Sequence, residues 1–252
     1  MLSLDQSRRK IERELSFGGI FWGNLKRNVF ILRAAKICMD KIVLSLFDKS
    51  GKMVKPWAEN GYECYAVDIA TKENKTEEVG EGEINYISAD IHNYIPPRRD
   101  YEFVFAFPPC TDLAVSGARH FKDKGLNGLS SAIKNVEKAR QICEWAESSY
   151  MIENPVSTLS TYWREPDYTF DPYEYDGYTE EDNKYQKKTC LWTSDDFQLP
   201  DPLASNEWDE RIHQEMWGDS EARSVTPQGF ANAVFEYNGP LEQYTLDTVY
   251  DY

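Results

Sequence analysis

The sequence predicts an α/β protein with a doubly wound, mostly parallel sheet, and three observations carry that expectation. Short apolar runs recur at residues 42–47, 62–67, 84–87 and 101–106, as strands do when both faces of a sheet are covered. Helical patterning alternates with them, most clearly where Leu129, Ile133, Val136, Ala139, Cys143 and Ala146 recur at three- and four-residue steps. Several runs end in a carboxylate or a turn, at Asp48, Asp68, Asp90 and Glu153, where open α/β sheets bind ligands.

In chain order, residues 1–40 read as helical. Ser3 and Gln6 have capping-box spacing, and Ile11, Leu15, Val29, Leu32, Ala35 and Cys38 form amphipathic turns broken near Gly18-Gly19. The run 42–47 is the first strand, followed by the turn Asp48-Lys49-Ser50-Gly51, a short helix over 53–60, and Gly61 as its stop. The second strand closes at Asp68, the third leads to Asp90, and the fourth ends at Phe107-Pro108-Pro109-Cys110. Those prolines withhold N–H groups and restrict the residues before them, so the strand must end there. A helix over 129–147 precedes a fifth strand, 150–152, that ends at Glu153-Asn154-Pro155. Residues 160–186, rich in Tyr, Asp, Glu and Pro without a period, read as a small irregular insertion. A later strand spans 189–193, and a helix over 224–235 has Thr226-Pro227 as an Ncap–N1 pair. The expected organisation is a helical extension 1–40, one domain over 41–240 and an acidic tail 241–252.

The chain of 252 residues, 41% hydrophobic, suffices for one well-buried domain with a small insertion. No apolar run approaches the ~20 residues a membrane helix needs, and the polar start is not a signal peptide. Five cysteines with no C-x-x-C argue against a disulfide framework or a zinc ribbon and favour a reducing cytoplasm. With three scattered histidines, no metal site is expected. The net charge of −15 counts against extensive duplex contact. Against it stands a local basic lip of Arg119, His120, Lys122 and Lys124, which only Asp123 opposes.

Two constellations point to chemistry. The turn 47–51 sits at a helix N-terminus, and Asp68 follows Asp48 by 20 residues, the distance at which a strand-end carboxylate receives ribose hydroxyls. Asp90 is placed to meet an adenine amino group. A strand–turn–helix without ligand has a similar pattern, and no G-K-[ST] phosphate cradle occurs. The second constellation is Cys110 with Glu153-Asn154, on neighbouring strand ends. A lone Cys is more often a small buried hydrophobe, and a lone Glu at that place a cap. Together they form a nucleophile and a carboxyl able to polarise an electron-poor ring. Lys187-Lys188 could hold a phosphate or a base oxygen, or be a solvated charge run.

The order Leu46-Phe47-Asp48-x-x-Gly51, Asp68, Asp90, Pro108-Pro109-Cys110, Glu153-Asn154-Pro155, Lys187-Lys188-Thr189 and Thr226-Pro227 resembles the S-adenosylmethionine-dependent cytosine-C5 DNA methyltransferases, closest to their short bacteriophage versions. The resemblance covers about residues 42–235 and implies a Rossmann-like methyltransferase sheet. It implies that Cys110 attacks C6 of cytosine, with Glu153 and Asn154 completing the catalytic set. Phe47, Asp48, Gly51, Asp68, Ile69, Asp90, Ile91 and Pro108 would hold the cofactor S-adenosylmethionine. Ser116, Arg119, Lys122, Lys187 and Lys188 would face the substrate and its phosphates. This chain departs from the family at Lys49, where glycine is usual, at Pro155, where larger members carry Val, and at Lys187 and Lys188, where they carry arginines. Only about 30 residues separate Trp192 from Arg223, where larger members insert a sequence-reading domain, so little base readout is expected. The Pro-Pro also resembles the D/N-P-P-Y/F loop of amino-methyltransferases, but Phe107 replaces the polar residue that loop needs.

The leading expectation is therefore a cytoplasmic enzyme of a bacterial or phage-infected cell that methylates cytosine in DNA, single-stranded or flipped out, with little sequence specificity. One alternative is methylation of a dCMP-like cytosine nucleotide. The other is a catalytically silent binding or decoy protein on the same fold.

Overall fold

The computed structural model describes residues 41–97, 100–204, 208–218 and 222–240. The expected helical extension 1–40 and acidic tail 241–252 lie outside the described residues.

The eight strands are β1 (Ile42–Leu46), β2 (Glu63–Asp68), β3 (Lys75–Val79), β4 (Gly82–Ser88), β5 (Phe103–Ala106), β6 (Ser149–Pro155), β7 (Tyr168–Phe170) and β8 (Thr189–Thr193). They form one sheet in the order β3-β4-β2-β1-β5-β6-β8-β7. Neighbours from β4 to β6 pair in parallel, while β3 on β4, β8 on β6 and β7 on β8 are antiparallel. Within the parallel part, strand order advances outward from β1 in both directions, as in a doubly wound Rossmann-like sheet whose switch point lies between β1 and β5.

Period-2 alternation divides the core into two layers. Val43 of β1 with Phe103 and Phe105 of β5 face one layer, and Ile42, Leu44 and Leu46 with Val104 and Ala106 face the other. Both strands are fully covered, which is why their sequences are continuously apolar rather than alternating. The first layer is filled by Trp57 of α1 (Lys55–Glu59) and by Phe230, Ala231 and Val234 of α2 (Gln228–Asn238). The second is filled by α3 (Phe121–Ala146), whose Ala132, Val136, Ala139, Cys143 and Ala146 form one buried stripe. Among the described residues two short helices complete the set, α4 (Leu159–Tyr162) and α5 (Glu210–Gly218).

Several boundaries differ from the sequence expectation. α3 starts at Phe121, eight residues early, because Gly125 (φ 61°) lets a first turn join the helix across a kink. α2 starts at Gln228 with Pro227 as its cap, so Thr226-Pro227 lies just outside rather than at Ncap–N1. Within 160–186, β7 and a 3-10 turn, Pro172–Tyr178, interrupt the irregular chain. That turn packs so tightly on α2 that a Cβ at Gly229 would lie 2.2 Å from the Tyr175 carbonyl oxygen.

Candidate active site

Parallel pairing brings the carboxyl ends of β1, β2, β4, β5 and β6 to one edge of the sheet, so all the candidate residues from Phe47 to Asn154 follow from the same topology.

On the β1–β2–β4 side, Phe47 leaves β1 in a left-handed conformation (φ 58°), a geometry that costs on the order of 1–3 kcal/mol in a non-glycine residue. Gly51 continues the turn at φ 67°, and a Cβ there would meet the Tyr86 hydroxyl at 2.8 Å. Asp48 braces this turn from inside. Its Oδ1 accepts from the Gly51 N–H at 2.7 Å, the Ser50 N–H at 3.1 Å and the Ser50 hydroxyl at 2.9 Å, and its Oδ2 accepts from the Ser45 hydroxyl at 2.8 Å. Burial pushes the Asp48 pKa up, against the pull of those donors. Asp48, expected among the cofactor contacts, thus uses both oxygens on its own turn.

Asp68 Oδ1 accepts from the Ala70 N–H at 2.6 Å, and the neighbouring Ile69 is 70% exposed at the strand end. Asp90 caps the turn after β4: Oδ1 accepts from the His92 N–H and Oδ2 from the Asn93 amide. Ile91 is not presented to the edge; it is 4% exposed and packs in the second core layer. Of the expected cofactor contacts on this side, Asp68 and Ile69 are the pair the fold leaves presented.

On the β5–β6 side, the Phe107 N–H donates to the Leu46 carbonyl at 3.0 Å, which seats the Pro-Pro-Cys loop beside the β1 turn. Asn154 is wholly buried, and its Nδ2 donates to the carbonyl of Pro108, itself buried, at 2.9 Å. The Cys110 carbonyl then accepts from the N–H groups of Leu113 and Ala114. Cys110 is the only partly exposed thiol among the described cysteines; Cys64, Cys143 and Cys190 are buried.

Glu153 lies one position before Asn154 and points to the other face of the strand. Its Oε1 is closed off from solvent, accepts no hydrogen bond, and stands 3.8 Å from Lys187 Nζ. Both line a small cavity with Phe107, Phe170, Thr189, Phe230 and residues 224–227. Phe170 and Phe230 stack at 3.9 Å between ring centroids, giving that cavity a flat apolar wall. Burial first, and then the Glu153 charge, hold the Cys110 thiol above its ordinary pKa, while Lys187 and Arg223 pull it down.

The basic residues divide. Lys187 belongs to the cavity. Lys124 is turned inward, paired with the Asp112 carboxylate and donating to the Thr111 carbonyl at 3.0 Å. Lys122 and Lys188 are exposed. Ser116 and Arg119 lie in the 3-10 turn Val115–His120 that leads into α3. Sequence reasoning did not single out Arg223, Phe170 or Phe230 for the site. Thr226-Pro227, which the resemblance includes, was the signal nearest to the wall they form.

No family model matches the sequence, and no curated protein matches it. Among solved structures, the chain is similar to a prophage-encoded E. coli protein named as a DNA modification methyltransferase, at 13% identity and TM-score 0.38, covering 65% of this chain and 53% of that one. It is similar to the 16S rRNA methyltransferase KamB at 14% identity and TM-score 0.34, covering 64% and 91%. It is also similar to the glycopeptide N-methyltransferase MtfA at 15% identity and TM-score 0.27, covering 69% and 73%. The chain spans about half the length of the first of these, and the assignment of fold rests on the strand order itself.

Proposed function

We propose that the chain is an S-adenosylmethionine-dependent methyltransferase that modifies C5 of cytosine in DNA through a covalent bond to Cys110. The observation that carries this reading is the buried Oε1 of Glu153, which accepts no hydrogen bond and has the Lys187 ammonium 3.8 Å away, in an aromatic-lined cavity near a partly exposed thiol. A buried carboxylate oxygen without a donor is costly, and the exocyclic amino group of a cytosine is the donor that would satisfy it.

Asp68 and Ile69 fit the cofactor, the carboxylate for ribose hydroxyls and the exposed isoleucine for the face of an adenine ring. When bound, S-adenosylmethionine supplies an electrophilic methyl group on a sulfonium.

The chain's own groups account for the rest. The Cys110 thiolate adds to C6, forming the C–S bond and moving an electron pair toward C5. Glu153 accepts from the amino group, which holds the ring edge as charge develops there. Once C5 carries the methyl, loss of the C5 proton to solvent water re-forms the C5–C6 double bond and expels the Cys110 sulfur as thiolate. A donor from the base also offsets part of the Glu153 charge that holds the thiol protonated, so that Lys187 and Arg223 weigh more in favour of thiolate. The nucleophile is thereby activated by its own substrate.

The test is incubation of the full chain with methyl-labelled S-adenosylmethionine and duplex DNA, single-stranded DNA or dCMP. Label on cytosine C5 in DNA is expected. Label on another atom, or none in any arm, overturns the reading. The dCMP arm tests a second reading, favoured by the inward pairing of Lys124 and Lys187, which leaves few cations for a polymer backbone.

A further inference from the structure

The loops after β5 and β6, which follow Cys110 and Glu153, are stitched together. The Val115 N–H donates to the Val156 carbonyl at 3.1 Å, the Thr158 N–H donates to the Leu113 carbonyl at 3.3 Å, and Ala114 and Ser157 form an antiparallel bridge. Val115 stands five residues beyond Cys110 and Val156 three beyond Glu153. Both side chains face solvent, 56% and 43% exposed, and Leu126 at the kink of α3 is 83% exposed. β-Branched side chains are stiff, so this is a preformed apolar rim rather than a mobile one.

The charges around the rim are arranged differently from a phosphate track. Lys124 is committed to Asp112 and Thr111, Lys187 to Glu153, and Lys184 stands 3.8 Å from Asp176. Lys122 and Lys188 remain exposed on a chain of net charge −15. A duplex would bring a second phosphate strand to a surface on which the described lysines Lys124, Lys184 and Lys187 are already engaged. A single strand asks less. The bases on either side of a pocketed cytosine are each one phosphodiester away, so they must lie at the cavity rim, and there their faces meet apolar side chains.

We propose that Val115 and Val156 form an apolar rest for the bases flanking the target cytosine, so that the polymer this site takes is single-stranded DNA. This rests on the reading of the cavity as a cytosine site.

Fluorescence anisotropy of the full chain tests it, using a labelled 15-nucleotide strand containing one cytosine, the matching duplex, and dCMP as competitor. Expected are at least tenfold tighter binding of the single strand than of the duplex, and a log-affinity against log-salt slope no steeper than about −2, as for two or three phosphates of a single strand. The double variant Val115→Asp/Val156→Asp should weaken single-strand binding at least tenfold and leave S-adenosylhomocysteine and dCMP affinities unchanged. The milder pair Val115→Ser/Val156→Ser should weaken it in the same direction, with unchanged circular dichroism. Equal or tighter duplex binding, no binding of either oligonucleotide, a slope steeper than about −4, or unchanged affinity in the variants overturns the proposal. Single-strand binding that depends on the valines but transfers no methyl group sinks the cytosine reading and leaves the rim. Methylation of dCMP without valine-dependent binding does the reverse.

Discussion

Asn154 Nδ2 donates to the Pro108 carbonyl at 2.9 Å, and this bond ties the end of β6, which carries Glu153, to the end of β5, which carries Cys110. Asn154 contacts no solvent. It is a positioning residue in this account, setting the distance between thiol and carboxylate. Asn154→Ala should lower unfolding free energy by about 1–3 kcal/mol through the unpaired carbonyl, measured by urea titration. It should lower kcat while leaving S-adenosylhomocysteine affinity, measured by calorimetry, within twofold. A loss confined to cofactor affinity would contradict the assigned role.

The charges around Cys110 make a prediction of sign. Glu153 raises the thiol pKa and Lys187 lowers it. Glu153→Gln should therefore increase the thiolate fraction at neutral pH, and Lys187→Met should decrease it. Iodoacetamide alkylation of Cys110 followed by mass spectrometry from pH 6 to 9 should show the rate profile moved to lower pH in the first variant and to higher pH in the second. An unmoved profile, or movement in the opposite directions, would contradict these charge effects on the thiol.

Asp68 and Asp90 should separate. Asp68→Ala should weaken S-adenosylhomocysteine by about 1–3 kcal/mol, the cost of unpaired hydroxyls, measured by isothermal titration. Asp90 is taken up by His92 and Asn93, so Asp90→Ala should lower Tm more than it lowers affinity. Undiminished binding in Asp68→Ala would move the cofactor elsewhere.

The sequence made β1 and β5 legible because strands buried on both faces read as unbroken apolar runs, and β8 for the same reason. It hid β3, whose Lys75, Thr76, Glu77 and Glu78 are exposed and carry no alternation, and β7, which has only three residues. At the site, strand-end chemistry marked Cys110 and Glu153, because parallel strands must deliver their ends to one edge. Residue type alone could not separate a carboxylate that uses one oxygen on its turn from one that uses both inside the fold, so Asp48 and Asp68 look alike in the sequence and differ in the fold. Nor could local charge counting see that Lys124 pairs with Asp112, twelve positions away, or that Arg223 comes to act on Cys110.

Asp48 offers a test of that distinction. Asn keeps an oxygen for the N–H groups of Ser50 and Gly51, whereas Ala leaves both unpaired. Asp48→Asn should retain the fold, and because burial raises the Asp48 pKa, the wild type should lose stability relative to it as pH rises from about 4 toward 7. Asp48→Ala should cost about 1–3 kcal/mol near pH 4, and that cost should shrink as pH rises. Thermal melts across that range distinguish a brace from a ligand contact: a brace affects melting before it affects cofactor affinity.

Covalent catalysis by Cys110 is the central claim, and one measurement meets it directly. The full chain is incubated with S-adenosylmethionine and a single-stranded oligonucleotide whose one cytosine is 5-fluorocytosine, which cannot release its C5 substituent as a proton. Intact-mass and peptide mass spectrometry should then find a stable adduct of protein and methylated oligonucleotide, located at Cys110 and absent from Cys110→Ser. Methyl transfer to ordinary cytosine without any such adduct, or with turnover retained in Cys110→Ser, would contradict it.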